Sequence, residues 1–182
     1  MNMYVIAGQY KGRKLKMPKT GLRPTTNIVR EALFDILGSD ITGKSFLDVF
    51  AGSGLVGIEA LSRGAAHVEF VEKDRNAADT IKENLKTINV SMPVHCMDFR
   101  RFFKNSPGEF NYLFFSPPYY LGFESEIIKN LIDYTEIYPK SISIIQIFKK
   151  IELPVENTVL NCFDMRKYGI THVYFIQRQA GN

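Results

Sequence analysis

Residues 45–57 read Ser-Phe-Leu-Asp-Val-Phe-Ala-Gly-Ser-Gly-Leu-Val-Gly. A short apolar run, a loop with two glycines and then helix-compatible residues is the order of a parallel strand entering its crossover helix. Gly52, Gly54 and Gly57 satisfy the spacing GxGxxG. Glycine removes the Cβ atoms that would hold a ligand away from the backbone, and it does so where a helix N-terminus presents its amides. The spacing is shared by dinucleotide enzymes, flavoproteins and methyltransferases, so by itself it predicts a nucleotide-like ligand and no particular chemistry.

Outward from this stretch the chain alternates between apolar runs and helical patterns. The first strand is predicted over Ser45 to Phe50, followed by a helix from Leu55 to Arg63 that stops at Gly64. A second strand, His67 to Glu72, leads to a helix capped by Asp74 whose inner face is Ala77, Ala78, Ile81, Leu85 and Ile88. Pro93 to Met97 and Tyr112 to Phe115 read as strands three and four, and Ile127, Ile128, Leu131 and Ile132 mark a helix. The unbroken apolar run Ile142 to Phe148 suits a fifth strand covered on both faces. Thr158 to Met165 and Thr171 to Gln177, separated by Lys167-Tyr168-Gly169, read as an antiparallel hairpin at one edge. The pattern predicts an α/β fold: a Rossmann-like, doubly wound, mostly parallel sheet with a C-terminal antiparallel hairpin.

Ahead of the sheet, Met3 to Leu15 reads as a small hairpin ended by Pro24, and Asn27 as the N-cap of an amphipathic helix carrying Val29, Ala32, Leu33 and Ile36 up to Gly38. Nothing repeats, so residues 1–26 are expected to form an arm and residues 27–182 one domain. The charge is polarised between them. Residues 1–30 hold Lys11, Arg13, Lys14, Lys16, Lys19, Arg23 and Arg30 without one acid, whereas the rest of the chain carries 16 basic and 19 acidic side chains. A basic arm on a mildly acidic body is the footprint of a polyanionic partner, with Lys11, Arg13, Lys14, Arg23 and Arg30 as the expected nucleic-acid contacts.

The remaining composition excludes whole classes. With 45% hydrophobic residues, 14 Phe and 9 Tyr, the 182-residue chain is neither disordered nor a disulfide scaffold. No apolar run approaches the roughly 18 residues of a membrane span, and no signal-peptide pattern opens the chain, so a cytoplasmic location is expected; a monomer is expected as well. Cys96 and Cys162 stand far apart without a CxxC or Cys/His cluster; both are expected to be reduced and buried, and no metal site is signalled.

In doubly wound sheets the ligand lies beyond the carboxyl ends of the strands. Glu72 ends strand two, twenty residues after Gly52, where a carboxylate can accept from both ribose hydroxyls of an adenosine. Asp98 follows strand three. It is placed either to accept from an adenine amine, with Phe99 covering the ring, or simply to cap the next helix. Asp48 stands beside the glycine loop of Phe50, Gly52, Ser53 and Gly54, where its charge would repel a pyrophosphate but attract the ammonium and sulfonium of S-adenosylmethionine. At an effective dielectric near 20 that attraction is worth roughly 4 kcal/mol at 4 Å. The pattern favours S-adenosylmethionine over a nicotinamide dinucleotide. Strand four ends in Ser116-Pro117-Pro118-Tyr119. Two prolines leave the carbonyls around them free to accept from an amine, and Tyr119 can stack on a base. Ser116, Pro117 and Tyr119 are therefore the expected catalytic residues.

This last segment resembles the [Asp/Asn/Ser]-Pro-Pro-[Tyr/Phe] motif of methyltransferases acting on exocyclic amines of nucleobases. Gly8-Gln9-Tyr10-Lys11-Gly12-Arg13, Arg23-Pro24-Thr25-Thr26 with Val29-Arg30-Glu31-Ala32-Leu33-Phe34, the loop Asp48 to Gly54, and Tyr168-Gly169 extend the likeness over nearly the whole chain. It resembles the bacterial 16S ribosomal RNA guanine-N2 methyltransferase family (RsmD). The resemblance implies S-adenosylmethionine as donor and a guanine of 16S ribosomal RNA or of the assembling small subunit as acceptor, of the guanine 966 type. It also implies Glu72 and Asp98 as cofactor contacts. Where that family carries acids this chain has Asn111, Ser116 and Gln146, which leaves open an amino-methyltransferase of adenine N6 or cytosine N4 and a non-catalytic RNA-binding assembly factor. A nucleotide-dependent oxidoreductase on the same frame is the rival that Asp48 and the prolines oppose.

Overall fold

The computed structural model describes residues 3–18, 25–105, 108–119 and 121–179. Seven strands form one sheet: β1 Ser45–Val49, β2 His67–Glu72, β3 Val94–Cys96, β4 Tyr112–Phe115, β5 Ile142–Phe148, β6 Leu160–Tyr168 and β7 Thr171–Arg178, in the order β3-β2-β1-β4-β5-β7-β6. The first five run parallel, and the β6–β7 hairpin is antiparallel at the edge, as the sequence predicts. Among the described residues, α1 Asn27–Leu37 precedes the sheet, and α2 Leu55–Ser62, α3 Arg75–Thr87, α4 Phe99–Lys104 and α5 Glu124–Ile137 join its parallel strands.

Adjacent residues on the central strands point to opposite faces, and both faces are covered. Phe46, Phe70, Phe114 and Ile144 pack in one core with Leu33, Phe34, Ile58 and Ile81 from the helices. Leu47, Phe115 and Ile145 pack in the other with Ile127 and Leu131 of α5. Burial on both sides is why these strands carry apolar residues without alternation. Met3, Val5 and Leu15 enter the first core, so the N-terminal hairpin is packed against the body.

Several boundaries move for identifiable reasons. β1 ends one residue before Phe50, whose φ of 61° turns the chain out of the strand. The hairpin turn is tighter than expected. Tyr168 pairs with Thr171 and leaves Gly169, with φ 60°, as the first of two loop residues, the position where a two-residue hairpin loop favours glycine. Thr26, not Asn27, caps α1 by accepting from the Val29 amide, while the Asn27 side chain accepts from Arg30. On α1 the buried stripe is Val29, Arg30, Leu33, Phe34 and Leu37; Ile36 faces outward. Both cysteines are free but neither is buried. Cys96 is exposed and Cys162 half-buried, because β3 and β6 are the two edge strands.

Gly57 lets α2 lie close against the sheet. A Cβ on it would stand 2.3 Å from Phe70 Cε1, so only glycine lets the first turn of α2 lie against β2.

Candidate active site

From β1 the chain crosses to β2 on one side, and β4 lies on its other side, so the strand order reverses between β1 and β4. The crevice expected at such a reversal is present as two adjoining cavities. One, of about 320 Å³, is lined by Asp48, the loop Phe50–Ser53, Ser116, Pro117 and Tyr119, among others. The second, of about 450 Å³, holds Val71, Asp98, Phe99 and Phe123. Phe50, Glu72 and Pro118 border both, so one elongated ligand could occupy the two.

Glu72 braces the glycine loop. Its Oε2 accepts from the Gly52 amide at 2.8 Å and its Oε1 from the Asp74 amide at 2.8 Å. A carboxylate offers about four lone-pair sites, so capacity remains for two ribose hydroxyls. Gly54 follows with φ 75° as the N-cap of α2, where a left-handed residue turns the loop into the helix.

Asp48 is buried to 1% exposure, and its Oδ2 accepts from the Gly57 amide at 2.8 Å. Burial pushes its pKa up to about 8; the Gly57 bond pulls the other way, and the charge of Glu72 adds a little to the rise. The side chain is therefore mostly protonated near neutrality. A cation beside it would restore the carboxylate. The sequence-level picture of a standing negative charge is corrected: the charge is one that a cationic ligand would call up.

Asp98 N-caps α4 by accepting from the Arg100 amide at 3.0 Å, and it pairs with Arg100 Nε at 3.1 Å and Lys73 Nζ at 3.7 Å. The capping role is realised while the residue also borders the second cavity. Phe99 is almost wholly buried and packs on Phe50 at 4.9 Å, and Phe123 on Phe50 at 5.5 Å. Phe123, Leu121 and Met97 complete this apolar wall; the sequence carried no spacing signal for them.

At the other cavity Tyr119 shares a hydrogen bond of 2.9 Å with the Thr171 hydroxyl and lies against Phe148, ring centroids 5.7 Å apart. The ring is thus held in place from β5 and β7. Gln146 lines the same cavity and accepts from the Thr25 hydroxyl at 3.0 Å, which gives the Arg-Pro-Thr segment a reason to end on this rim. Asn111 lies elsewhere: its Oδ1 accepts from the Ser45 amide at 2.9 Å and holds the starts of β1 and β4 together.

The basic arm divides. Lys11, Arg13 and Lys14 are exposed, and Arg23 lies outside the described residues. Arg30 cannot meet a phosphate. It is fully buried, pairs with Glu59 at 3.4 Å and donates to the Tyr4 carbonyl at 2.7 Å. Its charge serves folding, because Glu59 also accepts from the Ile6 and Ala7 amides and so pins the arm to α2. Farther along, buried Asn84 of α3 exchanges two bonds with the Lys16 backbone and donates to the Ser53 carbonyl, tying the arm's end to the glycine loop.

The family described as conserved hypothetical protein 95 matches residues 3–177. YlbH of Bacillus subtilis is 36% identical over 98% of this chain and 100% of its own length. Ribosomal RNA small subunit methyltransferase D of Escherichia coli is 40% identical over 71% of this chain and 66% of that protein; the Haemophilus influenzae protein of that name is 37% identical over 76% and 75%. The solved structure of yhhF from Escherichia coli superposes over all of both chains with a TM-score of 0.85 at 31% identity. SMU.776 complexed with SAH shares the fold alone, at 16% identity and a TM-score of 0.65 over 82% of this chain and 48% of that one. The sheet order with its terminal hairpin is the class I methyltransferase fold. A match that runs from the arm through the last strand agrees with the likeness read from the motifs, and the chain belongs to the RsmD family of S-adenosylmethionine-dependent methyltransferases.

Proposed function

We propose that this protein transfers a methyl group from S-adenosylmethionine to an exocyclic amine of a nucleobase in ribosomal RNA, with N2 of a guanine in the 16S molecule as its target. The observation that carries the reading is that Asp48, the glycine loop and Ser116-Pro117-Pro118-Tyr119 border one cavity, a cation-binding group beside a base-binding one. The names of the Escherichia coli and Haemophilus influenzae relatives support the ribosomal substrate.

When bound, the donor supplies a methyl group already activated on sulfur: the acceptor nitrogen forms the new bond to carbon, the carbon–sulfur bond breaks, and the nitrogen loses a proton to solvent. The protein's part is placement. Asp48 would hold the donor's ammonium, and Glu72 its ribose, with the Phe50, Phe99 and Phe123 wall beside its adenine. Ser116 Oγ and the Pro117 carbonyl would accept from the amine's N–H groups and turn its lone pair toward the methyl, with Tyr119 stacked on the base. Alignment of this kind can contribute roughly 7–11 kcal/mol to the barrier reduction. Ser116 accepts as a neutral group, worth about 0.5–1.5 kcal/mol against about 1.5–3 for a charged acceptor. A base inside a helix must first be unstacked, at a few kcal/mol.

The test is incubation with tritiated S-adenosylmethionine and small ribosomal subunits from a strain lacking the protein, followed by mass mapping of the modified nucleosides. Label in N2-methylguanosine of 16S RNA is expected. Label on cytosine N4 or adenine N6 would keep the reaction and replace the target. RNA binding with no label would replace the enzyme with an assembly factor.

A further inference from the structure

The residues that border the cavity beside Tyr119 can be placed by register. Phe114 of β4 pairs with Ile144 of β5, and both side chains are buried in the core that α1 and α2 cover. Side chains two residues apart along a strand share a face, so Ser116 and Gln146 point to the same side as this pair. The pairing of Phe115 with Ile145, continued by one residue, sets Ser116 and Gln146 side by side on neighbouring strands, about 4.8 Å apart. Both border the cavity, whereas Phe115 and Ile145 lie in the opposite core.

Two of the hydroxyls on this side of the cavity are already engaged. Thr171 shares its hydrogen bond of 2.9 Å with Tyr119, and Thr25 donates to Gln146 Oε1 at 3.0 Å. Gln146 itself is only 5% exposed. Burial of that degree ordinarily leaves both ends of an amide bonded, yet among the described residues Gln146 Nε2 donates to nothing. Nor is it sealed in the core, as the unpartnered Ser143 hydroxyl of the same strand is. Its opening is the cavity that Gln146 lines. With Oε1 held by Thr25, what Gln146 offers a ligand is a pair of N–H donors, one strand away from the Ser116 oxygen.

We propose that Gln146 is a specificity-determining residue whose Nε2 donates to a carbonyl of the target base, one that a single ring nitrogen separates from the carbon bearing the methylated amine. Guanine has this pairing in N2 and O6, on either side of N1, and cytosine in N4 and O2, on either side of N3. Adenine presents the C2–H at the equivalent place across N1 from its amine, and against it the Gln146 donor would stay buried and unpaired. A site that hydrogen-bonds its substrate rejects an analogue lacking the partner group more strongly than one built on shape alone. Thr25 takes part indirectly, because its bond fixes which end of the amide faces the cavity. The inference rests on the proposed transfer to a nucleobase amine and narrows which bases qualify.

The test is single-turnover methyl transfer to a 16S ribosomal RNA fragment that carries, at the nucleotide found by mass mapping, either guanine or 2-aminopurine, which keeps the amine and lacks O6. The wild type should prefer guanine by about tenfold, the effect of losing one neutral hydrogen bond and leaving its buried donor unpaired. Gln146→Met, similar in volume, should transfer to both bases about equally. Gln146→Glu turns an acceptor toward the carbonyl and should be slower on guanine than Gln146→Met. A wild type indifferent to O6 overturns the inference without requiring any variant to fold. A Gln146→Met variant that keeps the wild-type preference, or a Gln146→Glu variant as fast on guanine as the wild type, overturns it too. Label on adenine N6 overturns it while leaving the methyltransferase reading intact, and a wild type that transfers no methyl group to RNA removes both.

Discussion

The sharpest consequence of the site's geometry is a pH dependence of cofactor binding that resides in Asp48. With a pKa of about 8 in the free protein, Asp48 is ionised to about one part in ten at pH 7 and about one in three hundred at pH 5.5. If a cation requires the carboxylate, apparent affinity scales with that fraction, and S-adenosylhomocysteine, whose ammonium stays charged over this window, should bind about thirtyfold more weakly at pH 5.5 than at pH 7. Binding at pH 7 should release about 0.9 proton, readable from calorimetry in buffers of different ionisation enthalpy. Asp48→Asn keeps an acceptor for the Gly57 amide and removes the titration. Its affinity at pH 7 should fall by the attraction, roughly 4 kcal/mol at 4 Å, less the smaller cost of ionising Asp48 at that pH, a net loss on the order of a hundredfold. Stability should move oppositely. A carboxyl whose folded pKa lies above its unfolded value stabilises the fold fully below about pH 4 and loses that contribution as pH rises through about 8, so the Asn variant should melt higher than the wild type in alkaline buffer. A flat affinity profile in the wild type between pH 5.5 and 7, or an unchanged slope in Asp48→Asn, would refute the reasoning.

Other expectations are more direct. Ser116→Ala removes one neutral acceptor and should slow methyl transfer roughly tenfold in single-turnover assays, with S-adenosylhomocysteine affinity kept; unchanged turnover would take Ser116 out of the mechanism. Gly57→Ala should destabilise by about 1–3 kcal/mol in urea titrations, since its Cβ would meet Phe70 Cε1 at 2.3 Å, and Phe70→Leu in the same chain should recover part of the loss. Arg30→Met leaves buried Glu59 without its fully buried partner and should cost about 3–5 kcal/mol of stability while leaving the salt slope of RNA binding untouched; a shallower slope would return Arg30 to the interface.

The elements of the parallel sheet were legible in the sequence because their apolar runs and the glycine and proline punctuation are local properties. Asp48, Glu72 and Ser116 could be expected on one rim because each lies at or just after the carboxyl end of a strand, and a doubly wound sheet gathers those ends; all three line one cavity. What the chain could not reveal locally was which charges are free. Arg30 counts in the sequence as one more cation of the acid-free N-terminal stretch, yet the fold inserts it beside Glu59, 29 residues away. Asp48 reads as an anion until burial and a single amide bond set its pKa near 8. Thr25, Gln146 and Thr171 come to one cavity from segments more than twenty residues apart. Periodicity and loop chemistry thus determined the frame and its working edge. Desolvation, ion pairing and convergence of distant residues belong to the tertiary structure, because they depend on what the chain packs against and not on the order in which it is written.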